Sequence, residues 1–193
     1  MVTPSAKDVK RKVAWGITGS GDKLSETIVV MKRIQKQYDD LVGIDVYLSK
    51  AATIVLKYYR LEDEVRGNFR KVMVETDSNS PFLAGWLQTG KYEFLLVAPA
   101  TSNTVAKISV GIADSLLSNS AIMALKGFVP VYIMPSDYRE GTIMTRLPDG
   151  SDTRLRVRRE DAEHVRRLEK MEDVFVLEKP RDIGKVFEKH FGS

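Results

Sequence analysis

The sequence predicts an α/β fold: a three-layer, doubly wound, mostly parallel sheet with an appended β-hairpin. Three observations carry that reading. Short apolar runs, such as Phe94-Leu-Leu-Val-Ala98, have the pattern of strands buried on both faces of a parallel sheet. Most of these runs are followed by a small polar loop and then by apolar residues at helical spacing. A Pro148-Asp-Gly150 turn joins two alternating segments, Ile143 to Leu147 and Thr153 to Val157, as a hairpin insertion over about 142–157 does.

Lys12-Val-Ala-Trp-Gly-Ile17 reads as the first strand and Thr18-Gly-Ser-Gly21 as the loop after it. A helix follows from Leu24 to Tyr38, with Leu24, Ile28, Met31 and Ile34 on one face. The glycines Gly16, Gly19 and Gly21 are spaced G-x-x-G-x-G, the reverse of the dinucleotide fingerprint, so a pyridine-nucleotide site is not read here. Gly19 and Gly21 still permit a backbone cradle for phosphate, to which Thr18 and Ser20 add hydroxyls. Gly43 to Leu48 is the second strand, ending at Ser49 before a helix from Ala51 to Tyr59. Ser49 reads equally as a ligand hydroxyl or as a helix cap. Lys71 to Glu75 is a shorter strand, and Pro81 opens a short helix to Thr89. Trp86 on it suits core or subunit interface.

The stretch Pro99-Ala-Thr-Ser-Asn-Thr104 is the most informative. Pro99 lacks a donor and is expected to stop the strand before it. Ala100, Thr101, Ser102, Asn103 and Thr104 are small, and four of them are polar. Thr104 is expected to cap a helix on which Val105, Ile108, Ile112 and Leu116 recur. That helix is carried through Gly111 to Asn119, and a second run from Ala121 stops at Gly127. A strand, a polar loop and a helix N-terminus place N–H groups and a positive dipole end at a sheet's carboxyl edge, where anionic or planar cofactors bind. The alternative is an ordinary strand-to-helix turn. Val129 to Met134 is a further strand, ending at Pro135-Ser-Asp-Tyr138, so four polar strand-end loops converge on one crevice. Arg159 to Met171 is a charged helix, Val174 to Leu177 a late strand and Pro180 to Phe191 a C-terminal helix.

The 193 residues suit one domain, 1–193, and 43% hydrophobic with 29% charged residues is an ordinary globular balance. With no cysteine, disulfides, thiolate metal sites and cysteine nucleophiles are excluded. The only histidines, His164 and His190, do not make a multi-histidine metal site, and both are expected at the surface of charged helices. Met1 to Lys12 lacks the apolar core of a signal peptide, and no apolar run reaches the length needed to cross a bilayer. A cytoplasmic protein without membrane contact is expected. The net charge of +4 is concentrated at Arg154, Arg156, Arg158, Arg159, Arg166, Arg167 and Lys170. No aromatic residues interleave there, which argues against nucleic acid; the readings are a solvated face or a docking site for an acidic protein.

Trp15-Gly-Ile-Thr-Gly-Ser20, Ala98 to Ile108 and Gly111 to Leu117 resemble the homo-oligomeric flavin-containing cysteine decarboxylase family. That family includes phosphopantothenoylcysteine decarboxylases, flavin prenyltransferases and archaeal flavoproteins. The resemblance runs from Val13 to Met134, and within the family the chain is similar to the archaeoflavoprotein A branch, whose relatives include dihydromethanopterin reductase. It implies a Rossmann-like (flavodoxin-like) fold and FMN as cofactor. It also implies a ferredoxin-like acidic electron donor, a small-molecule or protein acceptor such as a pterin, and a homo-oligomer, trimer-based. By position, Gly19 and Ser20 (with Thr18 beside them) would hold the phosphate side and Ser49 would add a hydroxyl. Ala100, Thr101, Ser102, Asn103 and Thr104 would border the isoalloxazine and ribityl chain. Trp15, Trp86 and the hairpin are the interface candidates.

The departures from the family pattern matter as much. Where the decarboxylases carry a histidine after the second strand, this chain has Ala51-Ala-Thr53. Where they carry Pro-Ala-Met-Asn it has Met134-Pro-Ser-Asp137, and it lacks their flap cysteine and the arginine of the prenyltransferases. The resemblance therefore favours redox use of the flavin over the alternative, a non-redox FMN-dependent group transfer of prenyltransferase or decarboxylase type. A flavin-binding subunit whose catalytic partner is another chain is a further option.

Overall fold

The computed structural model describes residues 10–192. The expected absence of a signal peptide concerns a stretch of which residues 1–9 lie outside the described residues. The elements, in order, are β1 (Arg11–Ile17), α1 (Leu24–Gln37), β2 (Val42–Leu48), α2 (Lys50–Tyr58), α3 (Glu62–Asn68), β3 (Lys71–Val74), α4 (Leu83–Gln88) and β4 (Phe94–Ala100). They continue with α5 (Ser102–Val110), α6 (Leu116–Lys126), β5 (Val131–Pro135), β6 (Gly141–Arg146), β7 (Asp152–Val157), α7 (Arg159–Leu168), β8 (Val174–Val176) and α8 (Asp182–Phe191).

Six strands form one sheet in the order β3-β2-β1-β4-β5-β8, all parallel, and β6 pairs with β7 as a separate antiparallel hairpin. Strands β1 and β4 are apolar on both sides because each face carries helices. One core joins Trp15, Leu24, Ile28, Phe94 and Phe187 on the face covered by α1 and α8. The other joins Leu95, Val97, Ile108, Leu117 and Ala121 on the face covered by α4, α5, α6 and α7. The chain runs outward from β1 to β3 on one side and from β4 to β8 on the other. The strand order therefore reverses between β1 and β4, and at such a point the two loops diverge and leave a crevice.

Several expectations are corrected here. Pro99 does not end its strand: β4 runs to Ala100, with a register irregularity between Val97 and Ala100 where the missing N–H breaks the ladder. The helix after it is two helices. Gly111 takes a left-handed conformation (φ 79°) and closes α5, so Ile112 is exposed, and Ser115 opens α6 with a capping box to Ser118. The cap of α5 is Thr101, not Thr104: its hydroxyl accepts from the Thr104 N–H. Helix α3 lacked the apolar periodicity that marks the others. Trp15 cannot serve an interface, being fully buried with its indole N–H donating to the Ala98 carbonyl. Trp86 is half-buried on α4, its ring facing the Lys71 and Lys91 ammonium groups at 4.7 and 5.9 Å.

Neither histidine is a free surface group. His190 is half-buried against Phe94, with its Nε2 2.9 Å from the Tyr132 hydroxyl. His164 is half-buried, its Nδ1 2.7 Å from the Ser109 hydroxyl. Both helices present one apolar stripe, and each ring lies at the margin of that stripe. Among the described residues no helix is long and apolar enough to cross a membrane, and no group of three or more acidic or histidine side chains could hold a metal ion.

Candidate functional site at the strand switch point

The crevice forms because four strand ends are bonded to one another rather than splaying apart. The Thr18 N–H donates to the Pro99 carbonyl (3.2 Å), the Ser49 N–H to Ile17 (3.0 Å) and the Ser136 N–H to Ala100 (2.9 Å). The Thr18 side chain adds a second tie. Its hydroxyl donates to the Pro99 carbonyl at 2.8 Å and accepts from the Thr101 N–H at 2.8 Å. Ser136 likewise donates its hydroxyl to Ser20 at 2.6 Å. The loops after β1, β4 and β5 thus behave as one platform.

On that platform lies a cavity of about 430 Å3. Of the nine residues singled out from sequence, Gly19, Ser20, Thr101, Ser102 and Asn103 line it. Thr18 and Ala100 are buried beneath it as the tie and the strand end, and Thr104 is buried within α5. Ser49 does not line it; its oxygen caps α2 by accepting from the Ala52 N–H at 3.0 Å. Gly21, Asp22, Tyr59, Ser136, Asp137, Thr145, Leu147 and Leu155 complete the wall. The loop carrying Ser136 and Asp137 was visible as a strand end. The hairpin residues were not, because only the register places Thr145 and Leu155 on the face turned to the cavity.

Two features shape the floor. Gly19 lies against α2, and a Cβ built on it would fall 2.6 Å from the Ala51 Cβ. At α5, Thr101 satisfies the Thr104 N–H and leaves the first-turn N–H groups of Ser102 and Asn103 without a partner among the described residues. They and the helix dipole offer a positive end to an anion or to the carbonyl edge of a planar ring. The Ser102 hydroxyl donates to the Asp137 carboxylate, which fixes that loop over α5.

The mouth of the cavity is acidic. Burial pushes the Asp22 carboxyl up from its ordinary value, against the pull of the adjacent Lys23. Burial also pushes the Lys23 ammonium down, opposed by Asp22 and Asp137. Lys23 itself is turned to the strand end, where its ammonium donates to the Pro135 and Ser136 carbonyls at 3.0 and 3.3 Å. Among the described residues no histidine, cysteine or arginine lines the cavity. The site can bind and orient through hydroxyls and N–H groups.

With that geometry in hand, comparison with known proteins gives the lineage. A family model described as Flavoprotein matches residues 1–189. The chain belongs to the flavoprotein family. An uncharacterised protein of Methanocaldococcus jannaschii is 51% identical over 179 residues, covering 93% of this chain and 95% of that one. The dihydromethanopterin reductase (acceptor) of the same organism is 32% identical over 239 aligned positions, covering 93% of this flavoprotein and 96% of the relative. Among solved structures, Burkholderia xenovorans DmrB in complex with FMN, described as a cubic protein cage for redox transfer, superposes with a TM-score of 0.79. It is 29% identical, over 94% of this chain and 96% of that one.

Proposed function

We propose that this flavoprotein binds FMN at the β1/β4 switch point and passes electrons from an acidic, ferredoxin-like donor to a small acceptor of the pterin class. The observation that carries the reading is the cradle itself. Gly19 lets the loop after β1 close against α2, where a Cβ would meet Ala51, and two open N–H groups at α5 supply charge stabilisation without any side chain suited to non-redox group transfer. The solved relative that binds FMN and the curated relative that reduces a pterin support the two ends of the reaction.

FMN bound there supplies both one- and two-electron chemistry. The chain's own residues do the rest. Gly19 and Ser20 would hold the phosphate side and Ser102 and Asn103 would border the ring, where N–H donors favour the reduced, anionic form. Ser49 lies outside the cavity lining and serves α2 as its cap. Overall, two reduced one-electron donors and two protons convert one C=N bond of the acceptor to CH–NH.

The basic region supports docking of an acidic donor more narrowly than its composition implied. Arg158 is paired with Asp161, and Glu163 takes Arg159 and lies within reach of Arg166. Arg154, Arg156 and Arg167 have no acidic partner among the described residues, and the first two project from the outer face of the hairpin. Exposed apolar side chains at Ile54, Tyr58, Phe82 and Ile112 support a homo-oligomer, trimer-based, as does the cage of the solved relative.

Purified protein should be yellow and should bleach anaerobically on mixing with reduced ferredoxin; a colourless protein that refuses added FMN refutes the reading. Arg156→Glu with Arg167→Glu should slow the bleaching roughly tenfold at low salt and flatten its salt dependence. Unchanged kinetics would remove these arginines from the donor site. The oligomer is checked by light scattering on the eluting protein, which should give a mass in multiples of three chains.

A further inference from the structure

The β6–β7 register puts Ile143, Thr145, Thr153 and Leu155 on one face of the hairpin and Met144, Arg154 and Arg156 on the other. The first face looks onto the cavity and carries an anomaly. Thr145 is 7% exposed, yet its hydroxyl has no hydrogen-bond partner among the described residues. A buried hydroxyl without a partner is unfavourable, and it is relieved when a ligand supplies one. Beside it, Leu147 and Leu155 face the cavity while remaining 38% and 47% exposed, apolar surface with nothing laid against it.

Across from the hairpin stands Asp22. The cavity continues into a second cleft of about 510 Å3 between α1 and the hairpin, and the two share Gly21, Asp22, Tyr59, Thr145 and Leu147. Asp137 is occupied by the Ser102 hydroxyl, and Lys23 is turned to the Pro135 and Ser136 carbonyls. The Asp22 carboxyl forms no ion pair or side-chain hydrogen bond among the described residues. Glu26, Lys23 and Arg146 also line this cleft, so its charges balance, and the unpaired Asp22 carboxylate is the group that favours a ring presenting N–H donors.

We propose that this space is the seat of the electron acceptor. Asp22 receives the paired N–H donors of a planar 2-amino-4-oxopyrimidine ring, Thr145 makes a second polar contact, and Leu147 with Leu155 covers a ring face. Two parallel N–H groups meet a carboxylate as a guanidinium does, with both strength and direction. The assignment rests on the flavin reading above and adds to it the groups that recognise the acceptor.

The test uses FMN-loaded protein titrated with pterin, whose fluorescence reports binding. Lumazine, which has a carbonyl in place of the 2-amino group, is the control ligand. The unmodified protein should bind pterin at least tenfold tighter than lumazine. Asp22→Asn should lose roughly tenfold to a hundredfold in pterin affinity and the preference with it, the size of a hydrogen bond to a charged group. Asp22→Glu should recover part of both, and Thr145→Val should lose about threefold to tenfold. All three variants should keep the visible spectrum and FMN content of the parent. Equal binding of pterin and lumazine, no pterin binding, or an Asp22→Asn protein that binds pterin unchanged overturns the proposal. Loss of FMN from Asp22→Asn or Thr145→Val also overturns it, by placing those residues at the cofactor. Failure of the unmodified chain to take up FMN is visible in the spectrum before pterin is added, and it refutes the flavin reading instead.

Discussion

Thr18→Val tests the idea that the site is built by ties between strand ends. Valine keeps the shape of threonine, so the substitution removes hydrogen bonds with little change in packing. In the parent the Thr18 hydroxyl donates to the Pro99 carbonyl and accepts from the Thr101 N–H, both at 2.8 Å, and the residue is 2% exposed. After the change, Pro99 retains the Thr18 N–H at 3.2 Å, but the Thr101 N–H loses its partner. An unsatisfied donor in a buried setting costs about 1–3 kcal/mol. Taking about 2 kcal/mol, a chain of this size should lose roughly 4–8 °C in melting temperature. Thr101 also caps α5, so the N–H groups of Ser102 and Asn103 lose their fixed direction. FMN affinity should fall about tenfold, corresponding to roughly 1.4 kcal/mol of lost order. The assays are differential scanning calorimetry and titration of the apoprotein followed by flavin fluorescence. Thr18→Ser, which keeps the hydroxyl and loses one methyl, should stay within about 1 kcal/mol of the parent. If Thr18→Val melts and binds FMN as the parent does while Thr18→Ser is impaired, the tie is not what holds the platform.

Gly19→Ala should abolish or strongly weaken FMN binding, since the new Cβ meets the Ala51 Cβ at 2.6 Å and overpacking of this kind costs about 1–3 kcal/mol. Ala51→Gly in the same chain should restore part of the loss in the titration, and no restoration would deny the steric cause. Tyr92→Phe should lower the melting temperature by roughly 2–4 °C for each kcal/mol lost. It leaves the buried Tyr47 hydroxyl, 2.6 Å away, without its partner and removes the donor to the Asp45 carboxylate. A further prediction concerns pH. Burial holds the His190 ring below its ordinary pKa, with the nearby Lys189 acting the same way, so the folded state favours the neutral ring. Its stabilising contribution is complete above the unfolded value of about 6.5 and is lost as pH falls through that value toward the folded one. His190→Phe should therefore melt with a shallower decline between about pH 7.5 and 5.5 than the parent; identical slopes would exclude the histidine.

Local pattern made most of the fold legible. Leu24, Ile28, Met31 and Ile34 marked α1 because a helix with one covered face repeats its apolar residues on that face, and all four are buried. Phe94 to Ala98 marked β4 because a strand covered on both sides needs no polar alternation. Misreadings arose where distant partners supplied what local chemistry lacked. Pro99 was expected to end β4, but its carbonyl is held by Thr18, and Ala100 receives the Ser136 N–H, so the strand is extended from outside. Thr104 was expected to cap α5, and Thr101 does so, because the tie to Thr18 fixes its backbone one turn earlier.

Residue order by itself determined the strand-loop-helix units and the small hydroxylated loops at their ends, since both follow from periodicity and from side-chain size. Only the tertiary structure decided which loops meet. The reversal of strand order between β1 and β4 brings residues 18–21 against residues 99–103, and the hairpin pairing turns Thr145 and Leu155 toward Asp22. Those neighbours lie about a hundred residues apart along the chain, and no local preference encodes a contact whose free energy appears only when two covered sheet faces have closed.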